Sequence, residues 1–266
     1  MTMIVNINEK NYRKHLLFKN TILRDVRFRS QPGDSILVVG SSGCGKSTLV
    51  RAMLKETHFQ GNINVDATSI GYVSQQDVLD CRETVYNSVY YTARLHNPDM
   101  PENKVHELVK NTLKDLALLP VMDQKIKTLS GGQKKRTQVA QQLLRNSELL
   151  LFDEADTGLD AVTTYYLMKN VTESAKKNKN IALCISHNIL PENIKLFSHI
   201  LVLAKGANKV ASIAYFGKTA DVYRYFNEDT MLKILFKILP PEEGGSGMGQ
   251  KYINRYKEMT KNHIKG

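Results

Sequence analysis

A glycine-rich segment near the start of the chain restricts the fold more than any other feature of the sequence. Residues 40–47 read GSSGCGKS and satisfy the pattern GxxxxGK[ST], whose glycines let successive backbone amides point toward one anion. The apolar run 35–39 precedes this segment, and residues 48–55 follow it with helical spacing. Because the pattern needs a strand before it and a helix N-terminus after it, the sequence predicts an α/β fold with a phosphate-binding loop.

The same pattern predicts contacts to a nucleoside triphosphate. Lys46 is expected to contact the β- and γ-phosphates, and the hydroxyl of Ser47 to ligate Mg²⁺. The residues expected to bind the nucleotide are Gly40, Ser41, Ser42, Gly43, Cys44, Gly45, Lys46, Ser47 and Thr48. The pattern predicts nucleotide binding but does not say what the nucleotide does.

Length and composition are those of a globular protein. The 266 residues are 42% hydrophobic and 24% charged, which suits one substantial core with a smaller lobe. The longest apolar stretches, residues 149–152 and 181–185, are far shorter than the roughly 20 residues that cross a bilayer, and residues 1–10 lack the pattern of a secretory signal. We therefore expect a cytoplasmic protein with no membrane-spanning segment.

Charge and cysteine content favour neither a nucleic-acid interface nor a framework of disulfides or structural metal. The formal net charge is +11, but the lysines are scattered, which favours a solvated surface over a nucleic-acid interface. Cys44, Cys81 and Cys184 lie far apart, so neither a disulfide framework nor a structural metal site is expected.

Apolar spacing separates a helical lobe from a parallel sheet. The lobe is predicted at about residues 77–147. Apolar residues recur there every three to four positions, at Val105, Leu108, Val109, Leu113 and Leu116. A helix is predicted at 161–176, between two continuous apolar runs that are typical of buried parallel strands. The predicted strands are residues 149–152, 181–185, 200–204 and 212–215.

Two carboxylates stand at the C-terminal end of the run 149–152. Ligands bind at this end of the strands in open α/β sheets. We expect Asp153 to coordinate Mg²⁺, directly or through water, and Glu154 to orient or deprotonate the attacking water. The alternative is an acidic pair that only ends the strand and caps the next segment of the chain. The phosphate-loop pattern upstream favours the catalytic interpretation.

A third motif, LSGGQ at residues 129–133, precedes a helical run at 134–144. By itself it also fits an ordinary helix start capped by Ser130. Together with GSSGCGKST, LLLFDE, TGLD and ISH, in this order within residues 23–217, it resembles the signature of ABC ATPases. The resemblance implies a P-loop NTPase core with a mostly parallel central sheet, an N-terminal antiparallel β portion and an inserted α-helical subdomain.

The resemblance further implies a site shared by two chains. In ABC ATPases two domains meet head to tail, and each ATP lies between the phosphate loop of one and the signature loop of the other. From the partner chain, Ser130 and the amides of Gly131 and Gly132 would contact the γ-phosphate, and Gln133 would belong to the same nucleotide-binding segment. The expected partners are a second ATPase subunit, in a homodimer, and a transmembrane permease driven by closure and opening of that dimer.

Three more residues take roles from the resemblance. Gln75 resembles the glutamine that touches Mg²⁺ and links the sheet to the helical lobe, although the assignment could shift to Gln76. His187 resembles the histidine that contacts the γ-phosphate, whereas a lone histidine at a strand end is more often an ordinary polar residue. Asp160 resembles the aspartate that crosses the dimer interface. The expected catalytic residues are Lys46, Gln75, Glu154 and His187.

Two features of the site stay open at the level of sequence. The family stacks adenine on an aromatic residue upstream of the first core strand, and Tyr12 and Phe18 are both candidates. Ala155 and Asp156 depart from the proline and the serine or threonine that are usual in the family. The added carboxylate of Asp156 could tune ATP-dependent association.

Three further segments indicate a branch of the family. Residues 72–84, 135–137 and 215–226 resemble the G subfamily of white-type exporters, in which the permease lies on the same chain. Since no spanning segment is found here, the expected permease is either a separate polypeptide or a part of a longer protein. The chain would then lie at the cytoplasmic face of the membrane and contact the membrane through the permease.

The ATPase domain is predicted over residues 1–230, and residues 231–266 as a C-terminal extension or linker. Residues 231–239 are nearly all apolar, with Lys233 and Lys237 on one face. This pattern fits a membrane-surface or permease-facing helix, and equally a helix that packs on the core of its own domain.

The competing function is a soluble ABC ATPase that acts on nucleic acid or ribosomes, which the basic charge would tolerate. Such proteins usually join two ATPase units or separate the motifs by long coiled coils, and this sequence shows neither. A simple P-loop kinase would leave LSGGQ without a role. We therefore expect an ATPase that drives transport, with ATP and Mg²⁺ as ligands and no nucleic-acid partner.

Overall fold

The chain folds into two units. The computed structural model describes residues 2–15, 18–65, 67, 69–76 and 78–261. Unit 1 comprises Met1–Gln31, Ile36–Asp66 and Ile189–Gly266, and unit 2 comprises Pro32–Ser35 and Ala67–Asn188.

The described residues form both strands and helices. The strands are β1 (Met3–His15), β2 (Phe18–Ser30), β3 (Ser35–Gly40), β4 (Gln60–Val65), β5 (Ile70–Val73), β6 (Leu149–Asp153), β7 (Ile181–Ile185), β8 (His199–Lys205) and β9 (Ala211–Lys218). The helices are α1 (Lys46–Met53), α2 (Val85–His96), α3 (Glu102–Asp115), α4 (Gly131–Leu144), α5 (Ala161–Asn178), α6 (Pro191–Ile194), α7 (Val222–Phe226), α8 (Met231–Ile238) and α9 (Gly249–Thr260).

The strands of unit 1 follow the order β4-β1-β2-β9-β8-β3. Strand β1 pairs antiparallel with β2 and β4, and β8 pairs antiparallel with β9, whereas β3 and β8 run parallel. Buried and exposed side chains alternate along β1, as expected of a strand with one face toward the core: Met3, Val5 and Ile7 are at most 1% exposed, while Ile4 is 41% exposed. The expected N-terminal antiparallel β portion is therefore confirmed.

The C-terminal residues of unit 1 form α8 and α9. The two helices bury Met231, Ile234, Ile238, Tyr252 and Ile253. Helix α9 packs against β8 and β9, and the Nζ of Lys257 lies 2.6 Å from Oδ2 of Asp25 in β2. Leu232 and Phe236 of α8 are exposed. The described part of the segment predicted as an extension or linker thus belongs to unit 1 and packs in part against its strands, and a domain boundary at residue 230 stays a prediction.

Unit 2 holds three parallel strands in the order β7-β6-β5, together with α2, α3, α4 and α5. Strand β6 is buried along its whole length, and Leu149 lies opposite both Ile70 of β5 and Ile181 of β7. Burial on both faces explains why this run is apolar without alternation. Helices α2, α3 and α4 lie inside the segment predicted as the helical lobe.

The secondary structure confirms the expected α/β class. Each apolar run predicted as a strand lies within one of β3, β6, β7, β8 and β9, and the helix predicted at 161–176 is α5. Among the described residues, no helix combines the length and the apolar character that crossing a membrane requires.

Candidate functional site

The predicted phosphate loop connects β3 to α1. Gly45 stands before the first residue of α1 with φ of +94°, and a Cβ there would approach Leu23 Cδ2 to 2.8 Å. At Gly40 a Cβ would lie 2.5 Å from the carbonyl oxygen of Leu203 in β8. Glycine avoids both the strained conformation at the first position and the close contact at the second. The neighbouring strands therefore determine the path of the loop.

Lys46 is the first residue of α1 and is 5% exposed. Its Nζ donates to the carbonyl oxygens of Gly40 at 3.0 Å and Ser41 at 3.1 Å, so the ammonium lies inside the loop. A phosphate at this loop would meet a buried cation and the N-terminus of a helix, and both favour negative charge.

The other loop residues differ in exposure. Ser42 and Gly43 are exposed, and Ser47 and Thr48 are half-buried in the first turn of α1. The thiol of Cys44 is 1% exposed, and burial raises its pKa, so the side chain stays protonated and unreactive. We conclude that the side chain of Cys44 serves packing.

The two predicted carboxylates follow one another at the end of β6 in unit 2. Asp153 is its last residue and is 3% exposed. Glu154 has φ of +54°, a left-handed conformation that costs a non-glycine residue about 1–2 kcal/mol. The amide of Glu154 donates to the carbonyl oxygen of Ile185 at 3.1 Å, which holds this turn against β7.

Two side chains hold the carboxylate of Glu154. Nε2 of Gln75 donates to Oε2 at 2.8 Å, and Nε2 of His187 lies 3.0 Å from Oε1. Gln76 contributes its carbonyl oxygen elsewhere, as the acceptor for Nε2 of Gln138 at 3.3 Å. Three of the four predicted catalytic side chains therefore meet within unit 2, and Gln75 is the glutamine that contacts Glu154.

Asp156 forms a hydrogen bond within its own chain. Its Oδ2 accepts from the hydroxyl of Ser186 at 2.6 Å, and the amide of Asn188 donates to Oγ of Ser186 at 2.8 Å. Burial raises the pKa of Asp156, although the bond from Ser186 acts in the opposite direction. The carboxyl thus contacts the segment that carries His187, and an effect of Asp156 on association stays a prediction.

Replacing Asp156 by asparagine is expected to change how the stability of the protein depends on pH. The pKa of Asp156 in the folded protein is raised above 3.8. At a pH between 3.8 and this raised pKa, the folded state binds more protons than the unfolded state, so the protein loses stability as the pH rises through this range. Asparagine keeps an oxygen that accepts from Ser186 and does not titrate. The variant should therefore gain stability relative to the wild type as the pH rises.

Thermal unfolding of Asp156→Asn and wild type between about pH 4 and pH 8 measures this difference. The exposed-site variant Asp99→Asn serves as the control and should parallel the wild type. A difference between Asp156→Asn and wild type that is the same at every pH would contradict the prediction.

The signature segment forms the start of α4. Oγ of Ser130 accepts from the amide of Gln133 at 3.3 Å, and Oε1 of Gln133 accepts from the amide of Ser130 at 2.9 Å. A Cβ on Gly131 would meet nothing within 4 Å, whereas one on Gly132 would lie 2.9 Å from Cδ2 of Leu159. The single chain thus shows an ordinary capping box, and its helix N-terminus has open space beside Gly131 where an anion would be favoured.

Asp160 caps α5 of its own chain. Its carboxylate accepts from the amide of Thr163 at 2.9 Å and from the hydroxyl of Thr163 at 2.7 Å, and these bonds hold the pKa of Asp160 below its ordinary value. Asp160 is exposed, and its role across a dimer interface stays a prediction.

The structure describes the predicted Mg²⁺ ligands but not the side chains of the two candidates for adenine stacking. The side chains of Tyr12 and Phe18 lie outside the described residues. The predicted Mg²⁺ ligands Ser47, Gln75 and Asp153 offer a hydroxyl, an amide and a carboxylate oxygen, which are hard donors of the kind Mg²⁺ accepts beside phosphate oxygens and water. In the described ranges, there is no group of three or more histidine, cysteine, aspartate and glutamate residues that could hold a metal ion.

Sequence reasoning missed a second layer of polar residues behind this site. Lys135 and Gln138 of α4 are each 5% exposed and donate to backbone carbonyls of the loop that carries Gln75. Gln138 and the buried Val139 follow Lys135 by three and four residues, which is a signal for one shared helix face. Their contact with a loop some 60 residues earlier has no signature in the local sequence.

The known proteins that this chain resembles include ABC transporters and an ATP-binding protein. A family model described as ABC transporter matches residues 23–157. ABC transporter G family member 4 of Dictyostelium discoideum is 35% identical over 207 residues, which are 70% of this chain and 26% of that protein. The aliphatic sulfonates import ATP-binding protein of Bacillus licheniformis is 30% identical over 218 residues, which are 79% of this chain and 83% of that protein.

A solved structure supports the fold. A dimeric post-hydrolysis state of an ATP-binding cassette bound to ADP and Pi matches with a TM-score of 0.67 and 20% identity, over 82% of this chain and 99% of that chain. The match confirms the expected P-loop NTPase fold, and the G-family relatives confirm the resemblance to that subfamily. From its motifs, its fold and these relatives, the chain belongs to the ABC transporter family and contains the ATP-binding, ATP-hydrolysing domain of that family.

Proposed function

We propose that two copies of the chain bind ATP between them, head to tail, and hydrolyse it to drive a transmembrane permease. In this proposal ATP contacts residues 40–48 of one copy and residues 130–133 of the other. The observation that carries the proposal is the carboxylate of Glu154, held between Gln75 and His187 at the end of a buried strand. Such a carboxylate suits the activation of a water molecule.

Each residue of the site has a distinct part in the proposed reaction. Lys46 neutralises charge on the β- and γ-phosphates, and Glu154 accepts a proton from the attacking water. His187 orients Glu154 and contacts the γ-phosphate. Mg²⁺, bound through Ser47, Asp153 and Gln75, would supply further neutralisation of the phosphates.

The signature helix supplies the contribution of the second chain. The N-terminus of α4, with Ser130 and the amides of Gly131 and Gly132, adds hydrogen-bond donors where charge develops in the transition state. Loss of the γ-phosphate removes these contacts, so hydrolysis opens the dimer. Asp160 would contribute at the same interface.

The transport role is proposed from the relatives. The dimer would act at the cytoplasmic face of the membrane and contact the membrane through the permease, with no nucleic-acid partner. Likeness to the G subfamily favours export. Copurification of the full-length protein from membranes, followed by identification of the integral protein that accompanies it, tests this part of the proposal.

ATPase activity is expected to rise more steeply than linearly with protein concentration, because each site needs two chains. While monomers dominate, the rate should grow with the square of the concentration, and the rate per chain should level off once dimers form. Phosphate release over about a hundredfold range of concentration, with light scattering on the same samples, measures both. Strict proportionality while the chain is monomeric would argue for a monomeric enzyme.

A further inference from the structure

Helix α4 holds the backbone of the loop that carries Gln75. Nζ of Lys135 donates to the carbonyl oxygens of Ser74 at 2.9 Å and Gln75 at 3.1 Å. About one turn later, Nε2 of Gln138 donates to the carbonyl oxygen of Gln76 at 3.3 Å. Two side chains on one face of α4 therefore bind three successive carbonyls of the loop that follows β5.

Lys135 is a buried lysine, and its hydrogen bonds replace the water that its ammonium has lost. Lys135 is 5% exposed, whereas most lysines keep the ammonium in water, as Lys110 on α3 does. Burying an ammonium costs free energy unless hydrogen bonds compensate for the lost water. The carbonyls of Ser74 and Gln75 provide such bonds, although the side chains of Gln75 and Gln76 in the same loop are exposed.

The loop held by α4 also contacts the proposed general base. The backbone of Gln75 accepts from Lys135, while its side chain donates to Oε2 of Glu154 at 2.8 Å. All three residues belong to unit 2. Because the geometry of a catalytic group is sensitive to displacements of about 1 Å, a shift of α4 against this loop would alter the position of the Glu154 carboxylate.

We propose that Lys135 is a positioning residue that couples the signature helix of a chain to Glu154 of the same chain. This inference rests on the proposed function. In the proposed dimer the N-terminus of α4 meets ATP bound by the partner, whereas Glu154 acts on ATP bound by its own chain. Lys135 thus links the occupancy of one ATP site to hydrolysis at the other.

The variant Lys135→Met keeps the apolar stem and removes the donors. We expect kcat for ATP to fall about tenfold, because a charge-assisted hydrogen bond behind the base is lost, while KM stays within about twofold. Lys110→Met, on the exposed face of α3, should keep both values of the wild type. Thermal unfolding shows whether each variant is folded. If Lys135→Met does not fold, Gln138→Leu removes one bond to the same loop and should show a smaller loss of the same kind.

Combination with Gln75→Ala separates positioning from a general effect on structure. If Lys135 acts through Gln75, adding Lys135→Met to Gln75→Ala lowers kcat no further. A residue that only supports the fold would reduce kcat again in the second background. A second loss as large as the first would therefore overturn the inference.

Amide hydrogen exchange of the nucleotide-free protein tests the contact without relying on hydrolysis. Lys135→Met should speed exchange in residues 74–76, and Lys110→Met should not. Equal exchange in Lys135→Met and wild type would overturn the inference. Absence of ATPase activity in the wild type would overturn the proposed function with it, whereas an active wild type and an unchanged kcat in Lys135→Met would overturn the inference alone.

Discussion

Glu154→Gln is expected to remove nearly all ATP turnover while ATP binding is retained. Loss of a positioned general base lowers kcat by about 10²–10⁴-fold. Glutamine preserves the length of the side chain and an oxygen that accepts from Gln75, so the turn after β6 should keep its geometry. Steady-state phosphate release measures turnover, and equilibrium titration with a fluorescent ATP analogue measures binding.

The same variant should accumulate as ATP-bound dimers, because an intact γ-phosphate keeps the two copies together. Size-exclusion chromatography with ATP and then with ADP measures this directly. Glu173→Gln, at an exposed position of α5, is the matched control and should hydrolyse ATP normally. Undiminished hydrolysis in Glu154→Gln would remove Glu154 from the base role. A blocked, ATP-loaded form that stays monomeric at high concentration would contradict the shared site.

The buried strands could be predicted because a strand that is buried on both faces is a continuous apolar run in the sequence. Residues 149–152 and 181–185 are continuous apolar runs, and they form β6 and β7 with every residue buried. The sequence pattern of β1 and β2 is weaker, since one face of each strand carries polar residues and bulges interrupt their register. Their place in the fold was expected from the family resemblance, whereas their bounds come from the structure.

The residues of the site likewise fall into those that the sequence predicts and those that only the structure shows. The chemistry of a triphosphate demands particular residue types at particular spacings, so residues 40–47 and the two carboxylates at the end of β6 could be predicted from the sequence. The contacts that orient Glu154 depend on residues 33 and 79 positions away along the chain. Only the family resemblance connected them before the structure did. The buried Lys135 and the bond between Asp156 and Ser186 have no such pattern, because tertiary packing alone creates them.

Lys46→Ala is expected to weaken ATP binding roughly 100-fold, or by about 2.8 kcal/mol. The variant removes a buried ammonium that lies inside the phosphate loop and that would contact two phosphates. Arg51→Ala, at an exposed position of the same helix, is the matched control and should bind ATP as the wild type does. Calorimetric titration with a non-hydrolysable ATP analogue measures the dissociation constant. Equal affinity in Lys46→Ala and wild type would contradict the phosphate-loop interpretation.

Lys46→Ala also allows a complementation experiment with a variant of the signature loop. Gly131→Asp places a carboxylate at a position where the single chain leaves open space, and the first turn of a helix tolerates aspartate. The same carboxylate would repel a triphosphate presented by a partner. Each variant alone should be inactive. In an equimolar mixture half of the dimers are mixed, and each contains one intact site, so the mixture should recover at most about one quarter of wild-type activity.

The mixture also shows which chain supplies the base. An intact site in the mixed dimer combines the phosphate loop of the Gly131→Asp chain with the signature loop of the Lys46→Ala chain. If Glu154 acts on ATP bound by its own chain, adding Glu154→Gln to the Gly131→Asp chain should abolish the recovered activity, and adding it to the Lys46→Ala chain should leave that activity unchanged. The reverse result would assign the base to the partner, and no recovery in any mixture would contradict the head-to-tail arrangement.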